Sequence, residues 1–260
     1  MRAILPPGLG SDPSLPDAIA HIRGILERNE LRLFCQPIRA LTGTAGYAMA
    51  EVLVRMREEE TALIPPGEFI PIFEHYRMMP ALDRWVLRHT VQHLAKGSRV
   101  PRFTVNLDWQ TLEDVEFPTF VAAELAQAGV RPELVLFEVV IRDVNERMAA
   151  CARFAAAVKA AGCGIIVDGF GSEPASMERL KALRPDFLKL EGSITRGILK
   201  DPAAASKFKS VMQVSQSLGI RTIAEAIEEQ DVLARLGALG VDFAQGFGVY
   251  LPHPIVDFAR

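Results

Sequence analysis

"GIIVDGFGSE", Gly164 to Glu173, is a β-branched apolar run that ends on a single acid, Asp168, followed by Gly-Phe-Gly. Ile165, Ile166 and Val167 have the branching that suits a strand buried on both faces. Such a strand, stopping at a carboxylate, sets that carboxylate at the edge of a core. The same pattern recurs in "LRLFCQPI", "YAMAEVLVR", "FTVNL", "LVLFEVV", "DFLKL", "RTIAEA" and "DFAQGF". These runs are mostly continuous and not alternating, as parallel strands covered on both sides should be.

Helical patterns separate them. Met148, Cys151, Phe154 and Val158 form a stripe at helical spacing, with Asn145 as an N-cap and Gly162 as a stop. Leu87, Val91 and Leu94 form another. Eight strand signals alternating with helices over about 250 residues predict a single (β/α)8 barrel of the TIM type. A doubly wound open sheet is the alternative, but no glycine-rich phosphate loop follows the first strand to support it.

The chain has 260 residues, 49% of them hydrophobic, and a formal net charge of -3. That suits one or two soluble domains with a large core. With no stripe of basic and aromatic residues, DNA and RNA are not expected partners. Cys35, Cys151 and Cys163 are odd in number and not spaced as metal pairs, which predicts reduced core thiols. Residues 1–15, rich in Pro, Gly and Ser, predict a tail or linker, and 16–260 the barrel domain. No apolar run suits a signal peptide or a membrane span, so the expected location is the cytoplasm, as a free protein or as a domain of a larger one.

Barrel enzymes keep their chemistry at the C-terminal ends of the strands. Those ends carry Gln36, Glu51, Asn106, Glu138, Asp168, Lys189, Glu225 and Gln245. Strand ends are where single polar residues naturally surface. Four carboxylates on one rim, however, repel one another unless a cation sits among them, so at least one pKa should be raised. Oxygen ligands suit Mg²⁺, Mn²⁺ or Ca²⁺ and not zinc. A divalent-metal site for a phosphorylated ligand is expected.

The same residues carry a resemblance. "FCQPI", "AEVLVR", "PPGEFIPIFE", "VNLD", "FLKLE", "IAEAIE" and "AQGF" follow one another as do the motifs of the EAL-domain family, the cyclic di-GMP phosphodiesterases, from about Ile25 to Pro254. In "AEVLVR" Val52 replaces the usual alanine. The resemblance implies that Glu51, Asn106, Glu138 and Asp168 hold a Mg²⁺ or Mn²⁺ ion, with Asp168 bridging to a second. It implies that Lys189 orients the attacking water and that Glu225 coordinates or acts as base, supported by Gln245. Gln36, Leu53, Arg55, Glu228, Gln245 and Phe247 would line a cyclic di-GMP cleft.

Three departures from the family pattern stand out. Gly169 replaces the second of two aspartates, Ile141 a loop-holding glutamate, and Glu173 a loop glycine. All three fall on the element that completes the second metal site and, in the family, supports a dimer. They predict a degenerate EAL domain that holds at most one ion, binds cyclic di-GMP or relays a signal, and hydrolyses poorly. The dimer would be weakened, and a protein partner or fused sensory domain would read the signal. The alternatives are an active phosphodiesterase yielding the linear dinucleotide, with Glu173 as the one new acid that could compensate, and a ligand-free interaction domain.

Other features have plainer readings. His89 and His93 stand four apart with no catalytic Glu between them, which predicts a solvated helix face. "REEET" after the second strand predicts a solvated loop, Gly246–Gly248 a turn, and Met78 and Met79 gap-filling core.

Overall fold

In the computed structural model, residues 15–41, 46–57, 63–174 and 176–260 are described. The expected tail lies outside them up to residue 14, and Leu15 already opens a helix, α1 (Leu15–Glu27). A hairpin follows, β1 (Leu31–Ala40) and β2 (Tyr47–Arg57), then β3 (Leu63–Ile64), α2 (Pro66–His75) and α3 (Met79–Ala95). The chain continues through β4 (Phe103–Asn106), α4 (Trp109–Glu113), α5 (Phe117–Ala128), β5 (Val135–Val140), α6 (Ile141–Glu146) and α7 (Met148–Ala160). Next come β6 (Gly164–Phe170), α8 (Met177–Leu183), β7 (Phe187–Leu190), α9 (Gly192–Gly197) and α10 (Pro202–Leu218). The last elements are β8 (Arg221–Ala224), α11 (Gln230–Ala238), β9 (Phe243–Ala244) and β10 (His253–Pro254).

Eight strands close into a barrel in the order β1-β9-β8-β7-β6-β5-β4-β2, with β2 pairing back onto β1. The expectation of eight parallel strands fails at one of them. β1 runs antiparallel to both its barrel neighbours, β2 and β9. Only six residues separate Ala40 from Tyr47, whereas a parallel crossover needs a dozen or more, so the first two strands can form only a hairpin. The other seven are parallel, and their faces are covered by helices outside and by side chains inside. Ile38, Met49, Leu136, Ile166, Phe187, Ile223 and Phe243 fill the barrel, while a larger cluster packs strands against helices. Beneath that filling, the Arg221 and Arg102 guanidinium groups lie over the Phe187 ring.

The predicted stripes are core-facing. Cys151, Phe154 and Val158 on α7, and Leu87 and Val91 on α3, are at most 1% exposed. Gly162, at φ +98°, ends α7 as expected. Asn145 does not cap that helix. It lies inside α6, and Arg147 occupies the cap position. All three cysteines are buried free thiols, and burial pushes each up to about 12. Met79 is core, with Met78 packed against it.

Asp83 joins α3 to α4. Its carboxylate, in a residue 5% exposed, accepts hydrogen bonds from Thr111 Oγ1 (2.6 Å) and the Asp108 backbone N–H (3.2 Å). Burial pushes this carboxyl up to about 7, against the opposing pull of those two bonds. An unfolded aspartate titrates near 3.9, so the folded state holds the proton more tightly. The resulting stability is complete below about pH 4 and is lost as the pH rises through about 7. Urea unfolding of Asp83→Asn should therefore improve relative to the parent by a few kcal/mol between pH 4.5 and pH 8, at about 1.4 kcal/mol per pKa unit. An unchanged difference at both pH values would show that Asp83 does not titrate in this range.

Candidate active site

The barrel rim gathers the acidic side chains around one ammonium. Lys189 Nζ, in a residue 1% exposed, lies 2.8 Å from Glu51, 2.9 Å from Glu138 and 3.0 Å from Glu225. Strand register produces the convergence. Glu51 on β2 is level with Thr104 of β4, Asn106 is level with Glu138 of β5, and Lys189 of β7 is level with Ile223 of β8. Glu225 and Gln245 each follow directly on their strands, β8 and β9. Asn106 Nδ2 and Gln245 Nε2 donate to Glu51 at 2.7 and 2.8 Å, and Gln245 Nε2 also reaches Gln36 Oε1 at 3.1 Å. Thr104 Oγ1 donates to the second oxygen of Glu138.

The site has more buried negative charge than Lys189 can balance. Burial pushes the Glu138 carboxyl up to about 8 and Glu225 up to about 7, and the lysine offsets this only in part. Glu51 goes the other way: burial raises it, but Lys189 with the Asn106 and Gln245 bonds outweighs burial and holds it low. Burial also pulls Lys189 down, and Glu138, Glu225 and Glu51 together override it, so the ammonium stays charged. The expectation that crowding would raise at least one acid is met by two.

That excess suits a hard cation. The donors are carboxylate and amide oxygens, and Gln245 Oε1 is buried at the rim with no hydrogen-bond partner. Among the described residues no three acidic, imidazole or thiol side chains are arranged to hold a metal ion; the glutamates close on Lys189 instead. Asp168, half-buried, is near enough for its charge to act on Glu138, Glu225 and Lys189, and its Oδ1 accepts from the Gly169 N–H at 2.7 Å.

Above the acids, a cavity of about 260 Å³ is lined by Gln36, Glu51, Glu225, Glu228, Gln245 and Phe247, six of the expected residues. Gly246 and Gly248 lie so close to the backbone of Ile227 and Glu228 that a Cβ at either would collide with it. That contact fixes Phe247, whose ring is 68% exposed at the mouth. Leu53 and Arg55 do not line this cavity. The hairpin register pairs Gln36 with Glu51, Phe34 with Leu53 and Arg32 with Arg55, which share one face of the ribbon leading away from it. The Arg55 guanidinium sits 5.8 Å from the Phe34 ring centroid. Arg196, on α9, also lines the cavity, and the sequence reasoning missed it. It lies on a short helix after the Lys189 strand, outside every quoted motif.

β6 does not stop at Asp168 as expected. It continues to Phe170, which is 5% exposed and pairs with Leu190 after a register shift. The shift is accommodated by Gly169 at φ +66°, a left-handed conformation that costs glycine little. Ser172 then donates to the Gly169 carbonyl through both N–H (3.1 Å) and Oγ (2.8 Å). Ile141 is 1% exposed beside it. The loop is pinned by Asn145, which donates to Glu173 Oε2 and the Pro174 carbonyl, both at 3.1 Å, and accepts from Arg179 at 2.8 Å. Glu173 is therefore engaged with Asn145.

The two histidines of α3 are not on a solvated face. His93 is 8% exposed and edge-on to Phe103, and His89 stacks on Trp85 at 3.8 Å between centroids. Of "REEET", all but Arg57 falls outside the described residues.

Comparison with known proteins agrees with this geometry. The EAL domain family profile matches residues 19–252. The cyclic di-GMP phosphodiesterase PdeF of Escherichia coli is 29% identical over 249 residues, which cover 94% of this chain and 33% of PdeF. The chain thus spans about a third of the length of that relative. The PaMucR phosphodiesterase, solved as a c-di-GMP complex, is 25% identical and superposes at a TM-score of 0.82 over 93% of this chain and 99% of its own. The FimX EAL domain of Pseudomonas aeruginosa, solved bound to c-di-GMP, is 24% identical with a TM-score of 0.85 over 93% of this chain and 98% of its own. With the barrel, the hairpin-borne Glu51 and the lysine-centred acid rim all in place, the chain belongs to the EAL domain family.

Proposed function

We propose that this domain binds cyclic di-GMP in the rim cleft and hydrolyses it poorly, serving as a receptor or relay. The observation that carries the reading is Gly169. The position that would supply a second-metal carboxylate has no side chain, and its N–H is turned back onto Asp168. The rest of the rim is retained. Glu51, Asn106, Glu138 and Asp168 would hold one Mg²⁺ or Mn²⁺ ion, which would supply charge at a phosphodiester oxygen. Phe247 offers an exposed ring for a guanine, and Arg196 offers a cation for a phosphate. Lys189 would orient water, and Glu225, near neutrality, can take its proton. Hydrolysis rescued by Glu173 is disfavoured, because that carboxylate is committed to Asn145. A fused sensory domain or protein partner in the cytoplasm would read the bound state, and the loop around Gly169 would support only a weakened dimer.

Calorimetry with the dinucleotide in Mg²⁺ and in Ca²⁺ tests binding, and no heat at high micromolar ligand would sink the receptor reading. Chromatography of an overnight Mn²⁺ digest, with Glu51→Ala as control, tests turnover. Base stacking on an aromatic side chain contributes about 1–3 kcal/mol, so Phe247→Ala should weaken binding by about ten- to a hundredfold. Arg196→Ala should weaken it too, by removing the cation that lines the cleft. An unchanged dissociation constant in both variants would place the ligand elsewhere.

A further inference from the structure

The chain leaves β8 in a two-residue excursion that carries one of the rim acids. Gln245 N–H donates to the Ala224 carbonyl at 2.8 Å, and the Gln245 carbonyl accepts from the Ile227 N–H at 3.1 Å. Glu225 and Ala226 stand between those two bonds, so two residues are spanned by the backbone of one, as in a bulge. Glu225 is the residue turned inward, with Oε1 3.0 Å from Lys189 Nζ.

Ala226 closes the excursion at φ +55°. Among the described residues three other non-glycine residues have positive φ, and each follows a helix: Asn29 after α1, Arg77 after α2 and Arg184 at the end of α8. Helix ends ordinarily use that conformation. Ala226 follows a strand, and its methyl cannot bond the local backbone as an asparagine or aspartate side chain does to offset the cost. A left-handed bulge residue is usually glycine. The conformation persists because the surroundings hold the returning chain in place. A Cβ at Gly246 would lie 2.2 Å from the Ile227 carbonyl oxygen, and one at Gly248 would lie 2.4 Å from that of Glu228, so backbone rests directly on backbone. The Gly248 N–H also donates to the Ile227 carbonyl at 2.8 Å. The Ala226 methyl packs on Gly192 of α9 and lines both the rim cleft and a neighbouring cavity of about 170 Å³. A longer side chain there opens onto space, so backbone conformation, and not volume, is what the fold constrains.

We propose that Ala226 is a positioning residue: its left-handed backbone, fixed by the two Gln245 bonds, sets the Glu225 carboxylate on Lys189. Its meaning for turnover rests on the reading of Glu225 as the group that takes a proton from water. The placement itself is tested without ligand, so its failure is distinct from a failure of binding or hydrolysis.

The test compares three substitutions by backbone tolerance. Glycine adopts the left-handed region freely and asparagine tolerates it, whereas valine, close to asparagine in size, does not. The readout is the Lys189 ammonium ¹H–¹⁵N resonance of the whole ligand-free chain at one fixed alkaline pH, recognised by the shift that Glu225→Gln causes. Ala226→Gly and Ala226→Asn should leave it in place. Ala226→Val should move it towards its position in Glu225→Gln, and adding Glu225→Gln to Ala226→Val should then shift it by less than about half as much as in the parent. A crystal structure of Ala226→Val should show Glu225 out of hydrogen-bond reach of Lys189. Should that variant fail to fold, Ala226→Leu takes its place, with a shift in the same direction. A role confined to stability would lower the melting temperature and leave the resonance alone. A resonance unmoved in the valine or leucine variant, or moved as far in Ala226→Asn as in either, would overturn the proposal.

Discussion

Lys189→Met is expected to lower unfolding stability by about 3–5 kcal/mol at pH 8.5, the range seen when one partner of a buried ion cluster is removed. Lys189 is the only cation in contact with Glu51, Glu138 and Glu225 among the described residues, and methionine keeps its bulk without its charge. The loss should shrink at pH 6. Burial already places Glu138 near 8 and Glu225 near 7 with the lysine present, so without it both hold protons at still higher pH. Protonation then removes the charge that the variant cannot pair. Urea unfolding of parent and variant at pH 6 and pH 8.5 measures the difference directly. A divalent ion should also raise the melting temperature of the variant more than that of the parent, since it replaces a missing cation only there. Equal stability at both pH values would mean that the glutamates do not depend on Lys189.

The rim was legible in the sequence because barrel topology brings strand ends together whatever lies between them. Gln36, Glu51, Glu138, Lys189, Glu225 and Gln245 are as close as their positions after apolar runs implied. The direction of β1 was missed, because apolar content alone does not separate an antiparallel barrel strand from a parallel one; the short link before Tyr47 was the signal that could have shown it. Other features depend on contacts that no local pattern records. Asn145 looks like a cap, yet its amide is used across the chain by Glu173 and Arg179. His89 and His93 look solvated because helix periodicity does not reveal what the hairpin and the C-terminal segment cover. Arg196 sits on a short helix whose position depends on the barrel alone.

The metal count separates a receptor from an enzyme most sharply, and the unmodified protein is expected to hold at most one divalent ion at the rim. A two-metal phosphodiesterase spans the attacking and leaving oxygens with ions about 3.5–4 Å apart, so both sites need their anionic ligands. Gly169→Asp should restore the second ion only in part. A Cβ there meets nothing closer than 3.8 Å, so space is not the obstacle. The backbone at φ +66° is, since aspartate tolerates that region better than most residues but still at a cost. The apolar Ile141 side chain, beside the new Cβ, would offer the carboxylate no hydrogen bond. Ile141→Glu alone buries a charge with no partner and should destabilise the fold. Combined with Gly169→Asp and metal, that charge gains a cation, so the pair should act better than the sum of its parts. Glu173→Gly, by contrast, would remove the carboxylate that Asn145 now holds and should loosen the same loop. Anomalous scattering from Mn²⁺-soaked crystals should count one ion in the parent, a partly occupied second in Gly169→Asp, and two in the double variant. Hydrolysis in the double variant should rise by about a hundredfold, the scale of a positioning defect repaired. Two fully occupied ions in the parent would overturn the count and, with it, the reading of Gly169 as the residue that disables turnover.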